Sequence, residues 1–279
     1  MELEDLLGRA LSLADEEEWE AVVDLLQGHL EEFSEEPAVH CWLGVAEREL
    51  GMEGVAYERF KQALALTPSD PYVLATAGNG IAAFDDADAE TALRTAALTA
   101  PQIAVTRLLY GAYLSREGFT EESLKELNAA REIDPDDPQI AYELGVAHAI
   151  AGDYDSATDA MADAVRLDPE DGWGRVVFGL VLIEADRLDE GVGELATGAR
   201  MREEDVDAQL AAALAMAATG RDGVAYEMLE RARIRAADAD LVLVTAVEDR
   251  LDGGHEASAA MLMEDFVPDL LRSRLSERP

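Results

Sequence analysis

The sequence predicts an all-α fold in which one helical hairpin repeats about eight times, and three observations lead there. Hydrophobic residues make up 49% of the 279 positions but aromatics only 6%, and alanine and leucine dominate the apolar set, which favours helix over strand. No sustained alternation of β-branched and aromatic residues marks a sheet. Pro68, Pro101, Pro135 and Pro169 recur at intervals of 33 or 34 residues, as do Gly44, Gly78, Gly111, Gly145 and Gly179. A period of that length is the signature of a repeat array rather than of one globular core.

Taken in order, the units run 3–36, 37–70, 71–103, 104–137, 138–171, 172–205 and 206–239, then a degenerate eighth at 240–268 and a cap at 269–279, as a single domain over 1–279. The first unit is degenerate, with Val22, Leu26 and His29 where later units carry a small–large–small triplet. That triplet is Ala56/Phe60/Ala63 in the second unit, Ala89/Leu93/Ala96 in the third, Ser123/Leu127/Ala130 in the fourth and Ala157/Met161/Ala164 in the fifth. Gly191/Leu195/Gly198 and Ala225/Leu229/Ala232 continue it without the following proline. Two antiparallel helices cannot bury both apolar faces alone, so neighbouring hairpins stack and share a core. Small residues are expected where backbones approach and large ones between them.

The stretch Leu144 to Ala157, LGVAHAIAGDYDSA, shows the logic. A glycine inside a helix costs about 1 kcal/mol relative to alanine, so Gly145 predicts a close approach by the paired helix. Gly152, like Gly51, Gly118 and Gly220, sits where the hairpin turns and suits a left-handed residue just past a helix end. Asp134-Pro135 and Asp168-Pro169 end second helices, and Asp153 and Asp155 suit the start of the next one. The carboxyl-terminal DLLRSRLSERP reads as a solvating cap helix, which the exposed end of a stack requires.

These landmarks resemble the tetratricopeptide repeat (TPR) family, whose 34-residue helix–turn–helix carries aromatic, Leu-Gly, Ala, Phe, Ala and Pro positions. The resemblance covers nearly the whole chain and is best in the fifth unit, at Leu144, Gly145, Ala157, Met161, Ala164 and Pro169. It implies a right-handed α-solenoid of about eight TPR-like hairpins, with first helices lining a concave face and second helices the convex one. It also implies a non-enzymatic scaffold or adaptor for protein–protein interaction. The groove-facing positions that it implies are Trp42, Val45, Tyr72, Asn79, Leu108, Leu109, Tyr142, Val146, Trp173, Val177 and Leu180. Chaperone-binding members of the family grip a terminal carboxylate with lysine, arginine and asparagine; only Asn79 suggests that pattern here. The stripe instead favours a partner with an apolar helix or extended segment. Self-association into a homo-oligomer and a role as regulatory subunit of an enzyme complex remain alternatives.

Charge divides along the same frame. The chain holds 60 acidic and 22 basic residues, a formal net charge of −38, and Lys61 and Lys125 are its only lysines. In the six units from 37 to 239, the first fourteen residues of each sum to −2 and the rest to −19. The expected concave face is therefore nearly neutral and the acid lies outside. An acidic, lysine-poor surface around a normal core resembles proteins adapted to multimolar salt, where the screening length falls to about 3 Å or less. The same charge argues against a nucleic-acid partner, since phosphate neutralisation needs a basic surface.

No catalytic set emerges. His29, His40, His148 and His255 lie in different units and form no HExxH spacing. Cys41 is the only cysteine, which leaves no intramolecular disulfide and no cysteine cluster for zinc, and a small buried apolar role is its default. Gly191-Val192-Gly193 lacks the third glycine and the preceding strand of a dinucleotide loop. Asp134 to Asp137, DPDD, lacks the spaced ligands of a calcium loop. Neither cofactor nor metal is expected. MELEDLLGRA does not have the basic-then-apolar order of a signal peptide, and the apolar run Leu210 to Ala218 is too short to span a bilayer. A cytoplasmic protein without membrane contact is the expectation. The one basic island, RARIRAAD from Arg231 to Asp238, either complements the end of a second helix or meets an acidic partner.

Overall fold

The landmark residues impose a helix, a short reversal with one left-handed residue and a second helix, and the computed structural model, which describes residues 1–277, contains that hairpin repeatedly. The chain divides into two compact units, residues 1–134 and 135–277.

In the first unit the hairpins are α1 (Leu3–Asp15) with α2 (Trp19–Gln27), α3 (Pro37–Glu49) with α4 (Glu53–Ala65), α5 (Pro71–Ala82) with α6 (Asp88–Thr99), and α7 (Ala104–Arg116) with α8 (Thr120–Ile133). Each hairpin also packs on the next: α2 and α5 on α3, α5 on α4, and α7 on α5 and α6. The second unit holds α9 (Pro138–Ile150) with α10 (Tyr154–Leu167), α11 (Gly172–Glu184) with α12 (Leu188–Met201), and α13 (Val206–Ala218) with α14 (Asp222–Arg235). After these come α15 (Leu241–Asp252), α16 (His255–Met261), a π-helical turn at Leu262–Phe266 and α17 (Val267–Ser276). Among the described residues there is no strand, and no helix is long and apolar enough to cross a membrane.

The glycine landmarks have the expected physical cause. A Cβ on Gly145 would stand 2.4 Å from Cγ of Met161, the large residue of its own triplet. Gly44 meets the Phe60 ring and Gly111 the Leu127 side chain, Gly78 meets Ala92 and Leu93, and Gly179 meets the backbone and Cβ of Leu195. Close packing of each hairpin therefore offsets the helix propensity lost at the glycine. At the reversals, Gly51, Gly118, Gly152 and Gly220 have φ between 73° and 82°. Glu17, Asp85 and Asp186 take the corresponding places in the first, third and sixth hairpins with φ of 58°, 53° and 59°. There the sequence shows no glycine, yet the turn still demands a left-handed residue.

Aspartates start the helices. The side chains of Asp70, Asp137, Asp153, Asp171 and Asp205 accept from backbone N–H groups in the first turns of α5, α9, α10, α11 and α13, satisfying donors that a helix start leaves open. A second device recurs two repeats apart. Arg107 donates through Nε to the Pro101 carbonyl at 2.7 Å and through Nη1 to Glu126. Arg175 donates likewise to the Pro169 carbonyl at 3.1 Å and to Glu194 at 2.6 Å. In the basic island, Arg233 and Arg235 stand in the last turn of α14; Arg233 lies 2.7 Å from Glu248, and Arg231 and Arg235 lie 3.8 Å from Glu203.

The carboxyl-terminal segment departs from the expected solvating cap. Residues 255–276 form one nearly continuous helical run that turns back over the first helices of its unit. α16 and the π-helical turn pack on α13, and α17 packs on α11 and α9. Leu270, Leu271 and Leu275, expected in a cap, are buried in the same apolar cluster as Leu262, Phe266 and Val267. The physical reason is their spacing: large residues three to five positions apart make a broad apolar stripe, and first helices carrying large apolar side chains can cover it. Arg278 and Pro279, the last two residues of the expected cap, lie outside the described residues.

Candidate functional site

The first helices carry the eleven positions that the repeat frame places on an inner face, and the two units treat them differently. In the first unit they are distributed over separate apolar clusters. Trp42 packs beside Leu6, Val22, Leu26 and Leu43, whereas Val45 packs with Cys41, Phe60 and Val73. Leu109 joins Ala75, Leu93 and Ala96. Leu108 and Asn79 are buried. Tyr72, at the start of α5, is 54% exposed and is the open member of the set.

In the second unit Tyr142, Val146, Trp173, Val177 and Leu180 all belong to the unit's continuous apolar core, which also takes in second-helix residues such as Met161, Leu195 and Leu229. Tyr142 and Val146 stand on α9, Trp173, Val177 and Leu180 on α11, and the cluster continues into Leu270, Leu271 and Leu275 of α17. A polar anchor lies beside it. The Trp173 indole N–H donates to the Tyr142 hydroxyl at 3.1 Å. The guanidinium of Arg274, from α17, stands 4.5 Å from the Trp173 ring centroid, and that of Arg202 stands 5.2 Å away. Arg274 also donates through Nη2 to both carboxylate oxygens of Asp205, at 2.8 and 3.0 Å. Asp205 is the residue whose side chain caps α13, accepting from Ala208 N–H at 3.0 Å.

This anchor is largely withdrawn from water, with side-chain exposure of 13% for Arg274 and 7% for Asp205. A cation over an indole contributes about 0.5 to 2 kcal/mol, rising as water is excluded. Removing one partner of a buried ion pair costs more than the pair itself contributes, because the other charge is left uncompensated. The arrangement can therefore hold a helix by an apolar stripe and fix its register by one arginine. Arg202, Asp205 and Arg274 were not among the candidate residues read from the sequence. The stripe from Leu262 to Leu275 was the available signal, but nothing local in it names Trp173 as the surface it covers.

The groups considered for chemistry lie elsewhere. Cys41 is buried, and burial first, then the nearby Asp70 carboxylate, pushes its thiol up to about 12, with Arg48 opposing. His148 Nδ1 lies 3.3 Å from Asp153 in the α9–α10 turn, and exposed His255 lies 3.2 Å from Asp222. Among the described residues, no group of three or more His, Cys, Asp and Glu side chains could hold a metal ion.

No protein-family profile matches the chain. An 81-residue stretch, 29% of the chain, is 28% identical to aspartyl/asparaginyl beta-hydroxylase of Mus musculus and corresponds to 11% of that protein. Among solved structures, the chain is similar to one in the APC/C hetero-tetramer Cut9–Hcn1, with a TM-score of 0.71 at 17% identity, over 87% of this chain and 48% of that one. The thermophilic TPR protein TTC0263 of Thermus thermophilus gives a TM-score of 0.57 at 21% identity, over 64% of this chain and 98% of its own. A tetratricopeptide repeat protein of Parabacteroides merdae gives 0.58 at 10% identity, over 92% and 98%. The chain thus spans about half of the Cut9–Hcn1 chain and a small part of the hydroxylase. Its fold is the tetratricopeptide-repeat fold, an all-α array of helical hairpins.

Proposed function

We propose that the protein is a non-enzymatic scaffold or adaptor whose inner helix faces bind an apolar helix or extended segment of a partner protein. The observation that carries this reading is the docking of α17 on α9 and α11, with Arg274 over the Trp173 ring. A surface that holds one amphipathic helix has the chemistry to hold another. Similarity to a chain from a hetero-tetrameric assembly supports the same direction. With a net charge of −38, the protein suits concentrated salt, where screening suppresses self-repulsion, and we place its work in the cytoplasm of a salt-adapted cell.

Affinity capture in multimolar KCl, read by quantitative mass spectrometry, tests this reading with wild type and a Val45→Asp/Tyr72→Asp variant. Tyr72 is exposed and Val45 half-buried, and circular dichroism checks that the variant folds. We expect partner recovery to fall at least tenfold. Equal recovery by a folded variant would rule out the inner face of the first unit as a binding surface.

A further inference from the structure

The helix α17 has the features of a bound ligand that happens to be tethered. Its buried side is made of Val267, Leu270, Leu271 and Leu275, whereas Asp269, Arg272 and Ser273 face water. It rests on α11 and α9, the helices that a TPR hairpin array presents as first helices, and not in the place of a further second helix. We infer that α17 is an internal ligand of the second unit and that the partner displacing it is an amphipathic helix of the same chemistry. That helix carries large apolar residues spaced like Leu262, Phe266, Leu270, Leu271 and Leu275, with an arginine in the place of Arg274. The inference deepens the proposed function and rests on its reading that an inner face binds an apolar helix.

Four observations separate a displaceable helix from a permanent core element. The first is a substitute cation. Arg202 already stands 5.2 Å from the Trp173 ring, and its Nε lies 3.6 Å from Asp205. When Arg274 leaves, Arg202 is in place to compensate Asp205 and cover the indole, so opening does not strand a buried charge. Second, the closed anchor is incompletely satisfied: Nε of Arg274 and Nε of Arg202 are both buried without a hydrogen-bond partner, and each such group weakens the closed state.

Third, the run is bordered by open space. A cavity of about 320 Å³ opens beside it, lined by Asp207, Leu243, Met261, Phe266, Leu270 and Ser273 among others. Fourth, the π-helical turn at Leu262–Phe266 joins α16 to α17. Such turns form single-step irregularities in helices and concentrate at functional sites. Here it provides a place where α17 can part from α16, while Ser258 ties α16 to α15 by donating to the Arg250 carbonyl at 3.2 Å.

The anchor also sets what a competitor must carry. An apolar helix alone leaves the Asp205 carboxylate and the Trp173 ring to Arg202, which stands farther from both than Arg274 does, at 3.6 Å against 2.8 Å from the carboxylate and 5.2 Å against 4.5 Å from the ring. Arginine meets both at once because its planar guanidinium can stack on the indole while its edge binds the carboxylate. Because α17 is tethered, it competes at a high effective concentration, and wild-type protein should accept a free helix only weakly.

The test uses the full chain in a Trp19→Phe/Trp42→Phe background, which leaves Trp173 as the only indole. The probe is a fluorescein-labelled peptide with this chain's own residues 260–277, followed by anisotropy. With Arg274→Glu added to the protein, we expect Trp173 emission to shift to longer wavelength. We also expect the peptide to bind saturably at least tenfold tighter than to the parent, and the peptide carrying Arg274→Glu to lose that gain. In unmodified wild type, hydrogen exchange should release the amides of 267–276 well before those of α11, a readout that needs no variant to fold. Exchange of α17 only together with α11, or no saturable peptide binding to a folded Arg274→Glu protein, would overturn the inference. So would a concentration-dependent dimer of that variant that excludes the peptide, which would make a second copy the occupant. Peptide failure while partners are still captured through Val45 and Tyr72 overturns the internal ligand alone. Loss of that capture dependence leaves the peptide result unaffected.

Discussion

Alanine substitution at three glycines in the second unit should give three different outcomes, set by what the new methyl group meets. Replacing a helical glycine by alanine gains about 0.5–1 kcal/mol through backbone entropy, and that gain is common to Gly145, Gly179 and Gly193. At Gly193, inside α12, no neighbouring atom lies within 4 Å of the added Cβ, so the full gain should appear as stabilisation. At Gly145 the Cβ falls 2.4 Å from Met161 Cγ and 3.3 Å from the Ala157 carbonyl. Methionine has three rotatable bonds and can move aside, so a cost of about 1–2 kcal/mol from overpacking leaves a net loss between about zero and 1.5 kcal/mol. At Gly179 the obstacle is the α12 backbone itself, with Leu195 N at 2.6 Å and Leu195 Cα at 2.9 Å. Rotating a side chain cannot relieve that contact. The overpacking cost should reach the upper end of about 1–3 kcal/mol, for a net loss of about 2 kcal/mol. Urea titration of the full chain at fixed KCl, followed by far-ultraviolet circular dichroism, should order the midpoints as Gly193→Ala, wild type, Gly145→Ala, Gly179→Ala. Stabilisation of Gly179→Ala to the level of Gly193→Ala would refute close approach as the reason for the glycine period.

Two further outcomes follow from single residues. Asp86 accepts from the Asp88 N–H, the Lys61 ammonium and the Tyr57 hydroxyl, which together lower its carboxyl from 3.8 to about 2. A lowered folded value means that its contribution is present above pH 3.8 and is lost as pH falls through about 2. The stability difference between wild type and Asp86→Asn should therefore shrink over that window, and a difference that stays constant from pH 6 to pH 2 would contradict this. Asp186 holds φ of 59° at the α11–α12 reversal, where left-handed backbone costs a non-glycine residue about 1–2 kcal/mol. Asp186→Gly should raise the urea midpoint by up to about 1 kcal/mol equivalent, and a fall would show that the Asp186 side chain, not its backbone, matters there.

The hairpins were legible because each landmark answers a local demand. Gly145 and Met161 belong to one unit, sixteen residues apart, and their fit is the same wherever that unit sits in the array. The period in prolines, glycines and triplets therefore carried the all-α repeat fold, and Gly51, Gly118, Gly152 and Gly220 marked the reversals at which the chain is left-handed. Glu17, Asp85 and Asp186 were not legible as such residues, because closure of the hairpin imposes the conformation whatever side chain stands there. The inner stripe was legible as residue types but not as a surface. Val177 and Leu180 read the same whether a neighbouring repeat, a partner or the chain's own end covers them.

That last choice belongs to the tertiary structure. The sequence by itself determined that Leu262, Phe266, Leu270, Leu271 and Leu275 form an apolar stripe that water disfavours. It did not determine the destination, since burial of apolar area has no direction and any sufficiently apolar face would serve. Direction comes from Arg274, whose charge can be compensated where Asp205 and Trp173 stand together. Asp205 opens α13 and Trp173 opens α11, so only the stacking of two hairpins makes that pair, and through it the resting place of α17.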